Sequence, residues 1–581
     1  MRRTWPHLLL MIGGLVLIGT AALVSNAAIE RALVSDSARS LAWGPTFFRI
    51  LLTVHGLALI VVALVSKEQA STSAPLSVRS SATRSFDDRK ITTRSWIVLS
   101  VLSLLGLALR LWHLNTDLWF DELLTLLNYL RLPLGDLVTS LPDQNNHLLF
   151  SVLSHASVSL FGESAWAVRL PSVLFGVMSL WALFLLGRRV VGTREALLAC
   201  ALMTFSYHHI WFSQNARGYM ALLFFSLLAT WLWLEALDRQ AWGWWLTYSV
   251  AVTGGMLSHM TMAFVVAAHV LVYLAMLWSQ RRSEVKRPGG SINWRPFVAW
   301  TLCVSLTAQL YALALPEFLR VGLHEVSLES EWTSPWWVLA ETLRNLRIGF
   351  SGLLVVGCGG AMVFSGLWSM LRREWQTAVL MVLPALLAGG SMVAAGHNLW
   401  PRFFFFSMGF ALLIAVHGAV LVPQLLSSHL TTWKSREAFG KVAGATLACL
   451  MIAASAVTVP RNYAHPKQDY TGAREYVESH RRPGDAVVAV GLAGVAYGRY
   501  FAPRWSVAQT HEELDAVRTA NSNVWLVYTL PVEVRAYRPD VWHAIQSDFE
   551  VVKVFPGTLG GGEVFVCRQR STKPGTFVAD N

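Results

Sequence analysis

The sequence predicts a polytopic α-helical membrane protein with a C-terminal soluble α/β domain, and three observations carry that prediction. Of 581 residues, 54% are apolar and only 14% are charged, with 26 Trp, a balance that soluble domains do not need. The net charge of +12 is distributed as short basic clusters between apolar runs: Arg188-Arg189, Arg281-Arg282 with Lys286-Arg287, Arg372-Arg373, and Lys434 with Arg436 and Lys441. Clusters at that spacing are topology signals retained on the cytoplasmic side, which speaks against a nucleic-acid partner. After Arg461 the composition changes abruptly, which divides the chain into residues 1–95, 96–460 and 461–581.

The first part opens with an apolar run, Leu8 to Val24, after Met1-Arg2-Arg3. Its end at Ser25-Asn26-Ala27-Ala28 is compatible with an uncleaved helix, the reading preferred here, or with a small-residue cleavage site. A second run, Phe47 to Val65, returns the chain inward. Lys67 to Ser95, with Arg79, Arg84, Arg89, Lys90 and Arg94, then reads as a basic cytoplasmic linker.

The middle part begins with a span at Trp96 to Leu114, which delivers Asp121-Glu122 to the outer face. Two Leu-rich amphipathic pieces, Leu123 to Arg131 and Leu134 to Leu141, follow in a loop that suits the interface. Further spans are expected at Ala167 to Leu186, Ala196 to Phe212, Ala221 to Leu237, Trp244 to Leu257, Thr261 to Trp278, Phe297 to Leu315, Phe350 to Leu371, Ala378 to Ala395, Phe403 to Leu425 and Val442 to Val459. The total is about 12 to 14 membrane helices. With the basic clusters inside, Tyr207 to Tyr219, Ser258 to Met260, Pro316 to Trp337 and His397 to Arg402 face outward. Leu148 to Phe161 breaks the alternation: counted as a full crossing with the next span, it leaves Arg188-Arg189 on the wrong side, so one crossing is partial or that pair lies outside.

The last part reads as alternating helices and strands. Thr471 to Arg481 and His511 to Thr519 have helical patterns; Asp485 to Val490, Asn523 to Tyr528, Phe549 to Phe555 and Glu563 to Cys567 have strand patterns. Gly560 to Gly562 lacks phosphate-loop spacing and reads as a hairpin turn. Four of the five Cys lie in apolar runs, so neither a disulfide framework nor zinc-ligand spacing follows.

The unusual polar residues concentrate in the outward segments. In Leu118-Trp-Phe-Asp121-Glu122-Leu-Leu124, two adjacent carboxylates lie just past an apolar run. Such a pair is either the acidic first turn of a helix or a functional site, because ionisable groups near a bilayer are costly to keep. Pro142 to His147 forms a polar cluster against a membrane run. In His208-His209-Ile-Trp-Phe-Ser-Gln214-Asn-Ala-Arg217-Gly-Tyr219 the adjacent His face different ways, which argues against a metal pair. Arg217 and Arg402 both sit at outer ends of spans, against the usual bias for basic residues. Guanidinium groups there suit a phosphate carried on a lipid, while a carboxylate can take a proton from a hydroxyl.

These segments resemble a known family. Asp121-Glu122, Asn146 to Phe150, Phe161-Gly-Glu163 leading to Arg169-Leu-Pro-Ser172, Trp211 to Tyr219, Ser258-His259-Met260 and Arg402 follow, in order, the pattern of the GT-C superfamily of membrane glycosyltransferases. The resemblance is to family 39 and its protein O-mannosyltransferase and aminoarabinose transferase relatives. Asn215 stands where relatives often carry Glu, and Leu148 where Pro is usual.

The resemblance implies a GT-C fold and transfer of a hexosyl or pentosyl group from a polyprenyl-phosphate donor, usually with inversion. The acceptor would be a glycan, lipid or protein at the outer face of the cytoplasmic (inner) membrane, and the protein would be multi-pass, with active site and C-terminal domain extracytoplasmic. It implies Asp121 as general base with Glu122 tuning it, and Arg217 and Arg402 on the donor phosphate. Asn146, His147, Gln214, Tyr219 and His259 are implied as pocket residues. The resemblance fixes no cofactor; a divalent metal shared by carboxylates and phosphate is possible, though no ligand set is legible. Membrane lipids are expected partners. The competing class is a lipid-linked sugar transporter or flippase, which would place ionisable residues near mid-span and show repeated halves; neither signal is evident.

Overall fold

The computed structural model describes residues 5–65, 91–143, 145–282, 293–321, 334–349, 353–430 and 436–570. Most of the Lys67 to Ser95 linker, Gln144, the Lys286-Arg287 and Lys434 charges and the middle of the Pro316 to Trp337 segment lie outside the described residues. The chain divides into two compact units, Met1–Leu114 with Thr125–Val459, and Asn115–Leu124 with Pro460–Asn581.

The first unit is helical. Among the described residues, eight helices are long and apolar enough to cross a membrane, or nine if the pair His7–Leu23 and Asn26–Leu33, bent by 90°, is one span. This is fewer than the roughly 12 to 14 expected from apolar runs, and the causes are local. Trp242–Ser258 and Arg295–Tyr311 have 17 residues each, about 26 Å of helix. Leu148–Phe161 has 14, about 21 Å against a hydrocarbon core of about 30 Å. Length therefore favours this helix as the partial crossing in the alternation problem. Leu353–Ala394 runs through both spans expected there, with a bend at Glu374, whose φ of −151° and ψ of 80° are not helical.

The run expected as one span at Ala196 to Phe212 is broken into Thr193–Thr204 and Tyr207–Ser213. Ser206 caps the second piece, its hydroxyl accepting from His209 N–H. A break inside an apolar unit strips carbonyls of their helical partners, and such groups must be satisfied internally. The fully buried Arg110 does this: its guanidinium donates to the carbonyls of Met203, Thr204 and Gly106 at 3.3, 3.4 and 2.8 Å. Arg189, counted in the sequence as a free topology signal, is also buried. It pairs with Glu235 at 2.7 Å and Asp238 at 2.8 Å.

Burial ranks the helices. Tyr219–Arg239 is 78% buried along its apolar window and Ala165–Val190 67%, against 11% for Gly44–Leu64. The first two are therefore central, and the helix over Gly44–Leu64 leaves most of its side chains uncovered by protein. Leu183, Met203, Leu222, Leu223, Trp233, Phe406 and Leu413 form part of the core between the central helices.

The second unit contains a five-stranded sheet. Strands β1 (Ala486–Val490), β2 (Ser506–Ala508), β3 (Val524–Thr529), β4 (Phe549–Phe555) and β5 (Val564–Gln569) lie in the order β2-β1-β3-β5-β4. β1 is parallel to both β2 and β3, whereas β5 is antiparallel to β3 and β4. The expected strands are present, and Gly560 to Gly562 lies in the connection between the antiparallel pair β4 and β5. β2 escapes sequence reading because three residues are too few to show a period of two. Every residue of β3 is buried, as its continuous apolar run demands in a covered sheet.

Asp485 ties the start of β1 to β3: its carboxylate accepts from Arg482 N–H at 2.9 Å and the Trp525 indole at 3.1 Å. Burial works to raise its pKa, but these bonds and one from Asn523 outweigh it and hold the carboxyl below the usual range. The sign follows: the contribution is full above the unfolded value of about 3.9 and is lost as pH falls through the lower folded value. Asp485→Ala is expected to destabilise this unit by about 1 to 3 kcal/mol at neutral pH, with the difference closing below about pH 4. Thermal unfolding followed by near-UV circular dichroism at pH 7 and pH 3 checks both.

Candidate functional site

In the first unit, the residues singled out in the sequence gather around the turn that precedes Tyr219–Arg239. Arg217 is 4% exposed. Its Nη1 donates to Thr125 Oγ1 at 3.3 Å and to the Asn145 carbonyl at 3.1 Å, and its Nη2 to Asn145 Oδ1 at 2.7 Å. Its main-chain carbonyl accepts from Ser172 Oγ at 3.1 Å, so the Arg169-Leu-Pro-Ser172 motif fixes the turn from below. Arg217 Nε is buried without a hydrogen-bond partner in the described structure. The terminal nitrogens are thus occupied in orienting the guanidinium.

Gly218 is required by close approach. A Cβ there would sit 2.2 Å from the Ser258 carbonyl oxygen and 3.0 Å from the His147 ring carbon Cγ. That proximity brings His147, Tyr219 and His259 together: His147 stacks on His259 with centroids 5.1 Å apart and meets Tyr219 edge-on at 5.5 Å. Tyr219 and His259 are 5.5 Å apart, and His259 also meets Phe403 at 5.8 Å. Arg402 lies at the start of the short helix Pro401–Ser407, its guanidinium over the rings of Trp400 and Phe403 at 5.0 and 5.9 Å.

Hydrogen bonding assigns the protons on both imidazoles. A carbonyl can only accept, so His147 Nδ1, 3.1 Å from the Ser258 oxygen, donates. A main-chain N–H can only donate, so His259 Nδ1 accepts from Thr261 N–H at 3.2 Å, and its proton sits on Nε2. Both rings, which lie in connections between helices, are held neutral. Burial lowers the pKa of His147, followed by the charge of Arg217 and, more weakly, of Arg402, against the opposing hydrogen bond to Ser258. Burial, then Arg217 and Arg402, push His259 down to about 3. Neutral His147 therefore presents a bare acceptor at Nε2, which is 95% buried with its residue and has no partner in the described structure.

Asn146 and Gln214 do different work. Asn146 Nδ2 donates to the Ser140 carbonyl at 2.8 Å and its Oδ1 accepts from Ser151 at 2.7 Å, closing the turn before Leu148–Phe161. Gln214 donates to the carbonyls of Arg110 and Trp112 at 3.0 and 2.6 Å, and Arg169 to that of Leu114 at 2.8 Å. These two side chains secure the end of the helix Thr93–Leu111.

In the second unit, Asp121 and Glu122 occupy the first turn of the helix Phe120–Thr125. Glu122 is fully buried: Oε2 accepts from Trp119 N–H at 3.2 Å, and Oε1 lies 4.0 Å from Lys467 Nζ. Removing one partner of such a pair costs about 3 to 5 kcal/mol, so Glu122 anchors the segment through its cap bond and its cation. Asp117 and Gln468 hold the same segment. Asp117 accepts from Thr471 N–H and Oγ1 at 2.7 and 2.8 Å, and Gln468 Oε1 accepts from Phe120 N–H at 2.8 Å. Asp121, on the adjacent face of the turn, is partly exposed. Its charge, after burial, raises the Tyr470 hydroxyl.

Sequence reading missed Thr125, Asn145 as the partner of Arg217, and Lys467 and Gln468. Asn145 lies in the polar cluster before His147, which was a usable signal; Lys467 is too distant in sequence to leave one. Among the described residues no group of three or more His, Cys, Asp or Glu is arranged to hold a metal ion.

Residues 147–308 match the family model for dolichyl-phosphate-mannose-protein mannosyltransferase, a stretch that includes His147, Gln214, Arg217, Tyr219 and His259. An undecaprenyl phosphate-α-4-amino-4-deoxy-L-arabinose arabinosyl transferase of Pseudomonas aeruginosa strain LESB58 is 28% identical over 279 residues, 40% of this chain and 47% of that protein. The same transferase of Pseudomonas paraeruginosa is 29% identical over 233 residues, 38% of each chain. The chain thus spans 38 to 47% of the length of the two relatives. ArnT of Cupriavidus metallidurans, solved bound to undecaprenyl phosphate, is 14% identical with a TM-score of 0.47, covering 82% of this chain and 98% of that one. The sequence matches are thus to a mannosyltransferase family model and to aminoarabinose transferases, each over part of the chain.

The neutral state of the two imidazoles is open to measurement. His147 and His259 are expected to show neutral ring-nitrogen shifts by NMR of histidine-labelled protein down to about pH 5, well below the ordinary value near 6.5. The folded arrangement is fully favoured above about pH 6.5 and loses ground as pH falls further. A ring that becomes charged above pH 6 would contradict the assignment.

Proposed function

We propose that the chain is a glycosyltransferase that moves one sugar from a polyprenyl-phosphate donor to a hydroxyl-bearing acceptor at the outer face of the cytoplasmic membrane. The observation that carries this reading is the buried Nε edge of Arg217 beside the bare His147 Nε2, in the stretch matched by the mannosyltransferase model. A guanidinium whose terminal nitrogens are already committed to Thr125 and Asn145 is fixed in orientation, and its Nε, occluded by protein in the described structure, is the edge that a phosphate oxygen would meet once the donor enters. The names of the relatives, which act on undecaprenyl-phosphate-linked aminoarabinose, agree with a lipid-linked donor.

In this reading the acceptor oxygen attacks the anomeric carbon while the bond from that carbon to the phosphate oxygen breaks. The electron pair leaves with the polyprenyl phosphate, and the negative charge that grows there is stabilised by Arg217, with Arg402 as the second cation. The hydroxyl proton passes to Asp121, the partly exposed member of the acidic pair. Glu122 has a different task, holding the turn through Trp119 and Lys467. Neutral His147 takes a hydrogen bond from the donor, because a charged imidazole would have no lone pair to offer. Attack on the face opposite the phosphate inverts the anomeric configuration.

The assignments separate in a donor-binding and turnover experiment. Asp121→Asn is expected to lower transfer about 10²- to 10⁴-fold while polyprenyl-phosphate binding stays at the wild-type level. Arg217→Ala is expected to weaken that binding by about tenfold or more. Transfer by Asp121→Asn at the wild-type rate removes the base assignment; unchanged lipid affinity in Arg217→Ala removes the phosphate assignment.

A further inference from the structure

The N-terminal part of the first unit has no task in the transfer chemistry, yet it packs against the stretch of chain that holds Arg217. Between the helix Asn26–Leu33 and the helix Gly44–Val65, residues 34–43 meet the short helix Leu134–Thr139. The approach is close enough to require glycine: a Cβ at Gly135 would sit 2.1 Å from the Leu33 carbonyl oxygen. Asp136, 5% exposed, accepts from Ser35 N–H at 3.3 Å and also from the Ser35 hydroxyl.

Arg39 makes the contact that reaches furthest. Its Nη2 donates to the Thr139 carbonyl at 2.8 Å and to Glu317 Oε2 at 3.3 Å, and its Nη1 to Thr139 Oγ1 at 3.3 Å and Asp136 Oδ1 at 3.5 Å. Glu317 Oε2 in turn accepts from Leu141 N–H at 2.8 Å, and Leu141 is buried against Ala314 and Phe318. One guanidinium therefore grips both sides of the turn from Thr139 to Leu141, directly at its first residue and through Glu317 at its last. A planar fork of donors suits that task better than the single ammonium of a lysine.

The turn is coupled to Arg217 by a short path. Asn146 Nδ2 donates to the Ser140 carbonyl at 2.8 Å and to the Leu137 carbonyl at 3.4 Å. Its neighbour Asn145 presents both its carbonyl and its Oδ1 to the Arg217 guanidinium. A shift at Ser140 thus reaches Asn145 across one side-chain bond and one peptide unit. Asn145 has a second hold, since its N–H donates to Asp143 Oδ1 at 2.8 Å and the Tyr129 hydroxyl donates to the same oxygen at 2.6 Å. Loss of Arg39 therefore loosens Asn145 without releasing it.

We propose that Arg39 is a positioning residue for the donor site, acting through the Thr139 to Leu141 turn and Asn145 to hold the Arg217 guanidinium in the orientation that meets phosphate. The inference rests on the phosphate reading of Arg217 and gives the N-terminal segment a part in it.

Binding of undecaprenyl phosphate to the full-length protein in nanodiscs tests this. Arg39→Ala is expected to weaken binding about three- to tenfold, and Arg39→Lys by less. In an Asn145→Ala background, Arg39→Ala should add less than about twofold, because the path to Arg217 is already cut. Arg31→Ala removes the same charge from the same segment, where Arg31 donates to the Ala27 carbonyl, and should leave affinity unchanged. Hydrogen exchange gives a readout that needs no phosphate: Arg39→Ala should speed exchange of the Leu141 and Asn145 amides about tenfold. If Arg39→Ala does not fold, Arg39→Gln keeps a donor for the Thr139 carbonyl and carries the same comparison. Unchanged affinity in Arg39→Ala, or effects of Arg39→Ala and Asn145→Ala that simply multiply, overturns the inference. Failure of the phosphate reading looks different, because Arg217→Ala then leaves lipid affinity unchanged. In that case faster exchange still supports the hold on Asn145, and unchanged exchange overturns it.

Discussion

A charge taken out of water is kept only where partners hold it, and the first unit is organised by how it meets that demand at Arg217. Thr125 and Asn145 take its terminal nitrogens, and Ser172 fixes its main chain. Gly218 allows the approach of Ser258 and His147. The turn leads directly into Tyr219–Arg239, the most enclosed of the central helices. A guanidinium held at these points is fixed in orientation. The neighbouring imidazoles stay neutral for the same electrostatic reason: burial and two nearby guanidinium groups disfavour a further positive charge.

Much of this was legible in the sequence where a local rule applied. Apolar runs located most membrane-length helices but overcounted them, strand patterns located four of the five strands, and an Arg placed against the expected topological bias singled out position 217. Local rules failed where a distant residue decided the outcome. The break at Phe205-Ser206 is sustained by Arg110, from another helix, whose guanidinium takes the freed carbonyls. Nothing near Ala196 to Phe212 announces that partner. Gln214 and Asn146, grouped in the sequence with the pocket residues, direct their amides to main-chain carbonyls. A polar side chain beside a membrane run has two sources of demand, a ligand or an unsatisfied backbone, and sequence does not distinguish them.

The acidic pair divides along the same line. Read as a doublet, Asp121-Glu122 invites one role for both, yet adjacent residues on a helical turn face different surroundings. Glu122 points into protein and is spent on a main-chain N–H and a lysine, whereas Asp121 is partly exposed. The helix-start reading describes the first and the functional reading is kept for the second. The segment that carries them belongs with the C-terminal unit through Asp117, Gln468 and Lys467, so the tail of the chain has a structural claim on the proposed base that its position in sequence does not suggest.

The central claim is that Arg217 receives the phosphate of a lipid-linked sugar while the His147 lone pair accepts from a hydroxyl of that donor. It is tested most directly by an experimental structure of the full-length protein bound to a polyprenyl-phosphate sugar. The account predicts a phosphate oxygen about 3 Å from Arg217 Nε and a donor hydroxyl facing His147 Nε2. A phosphate held by other residues, with the Arg217 Nε edge covered by protein, would contradict it.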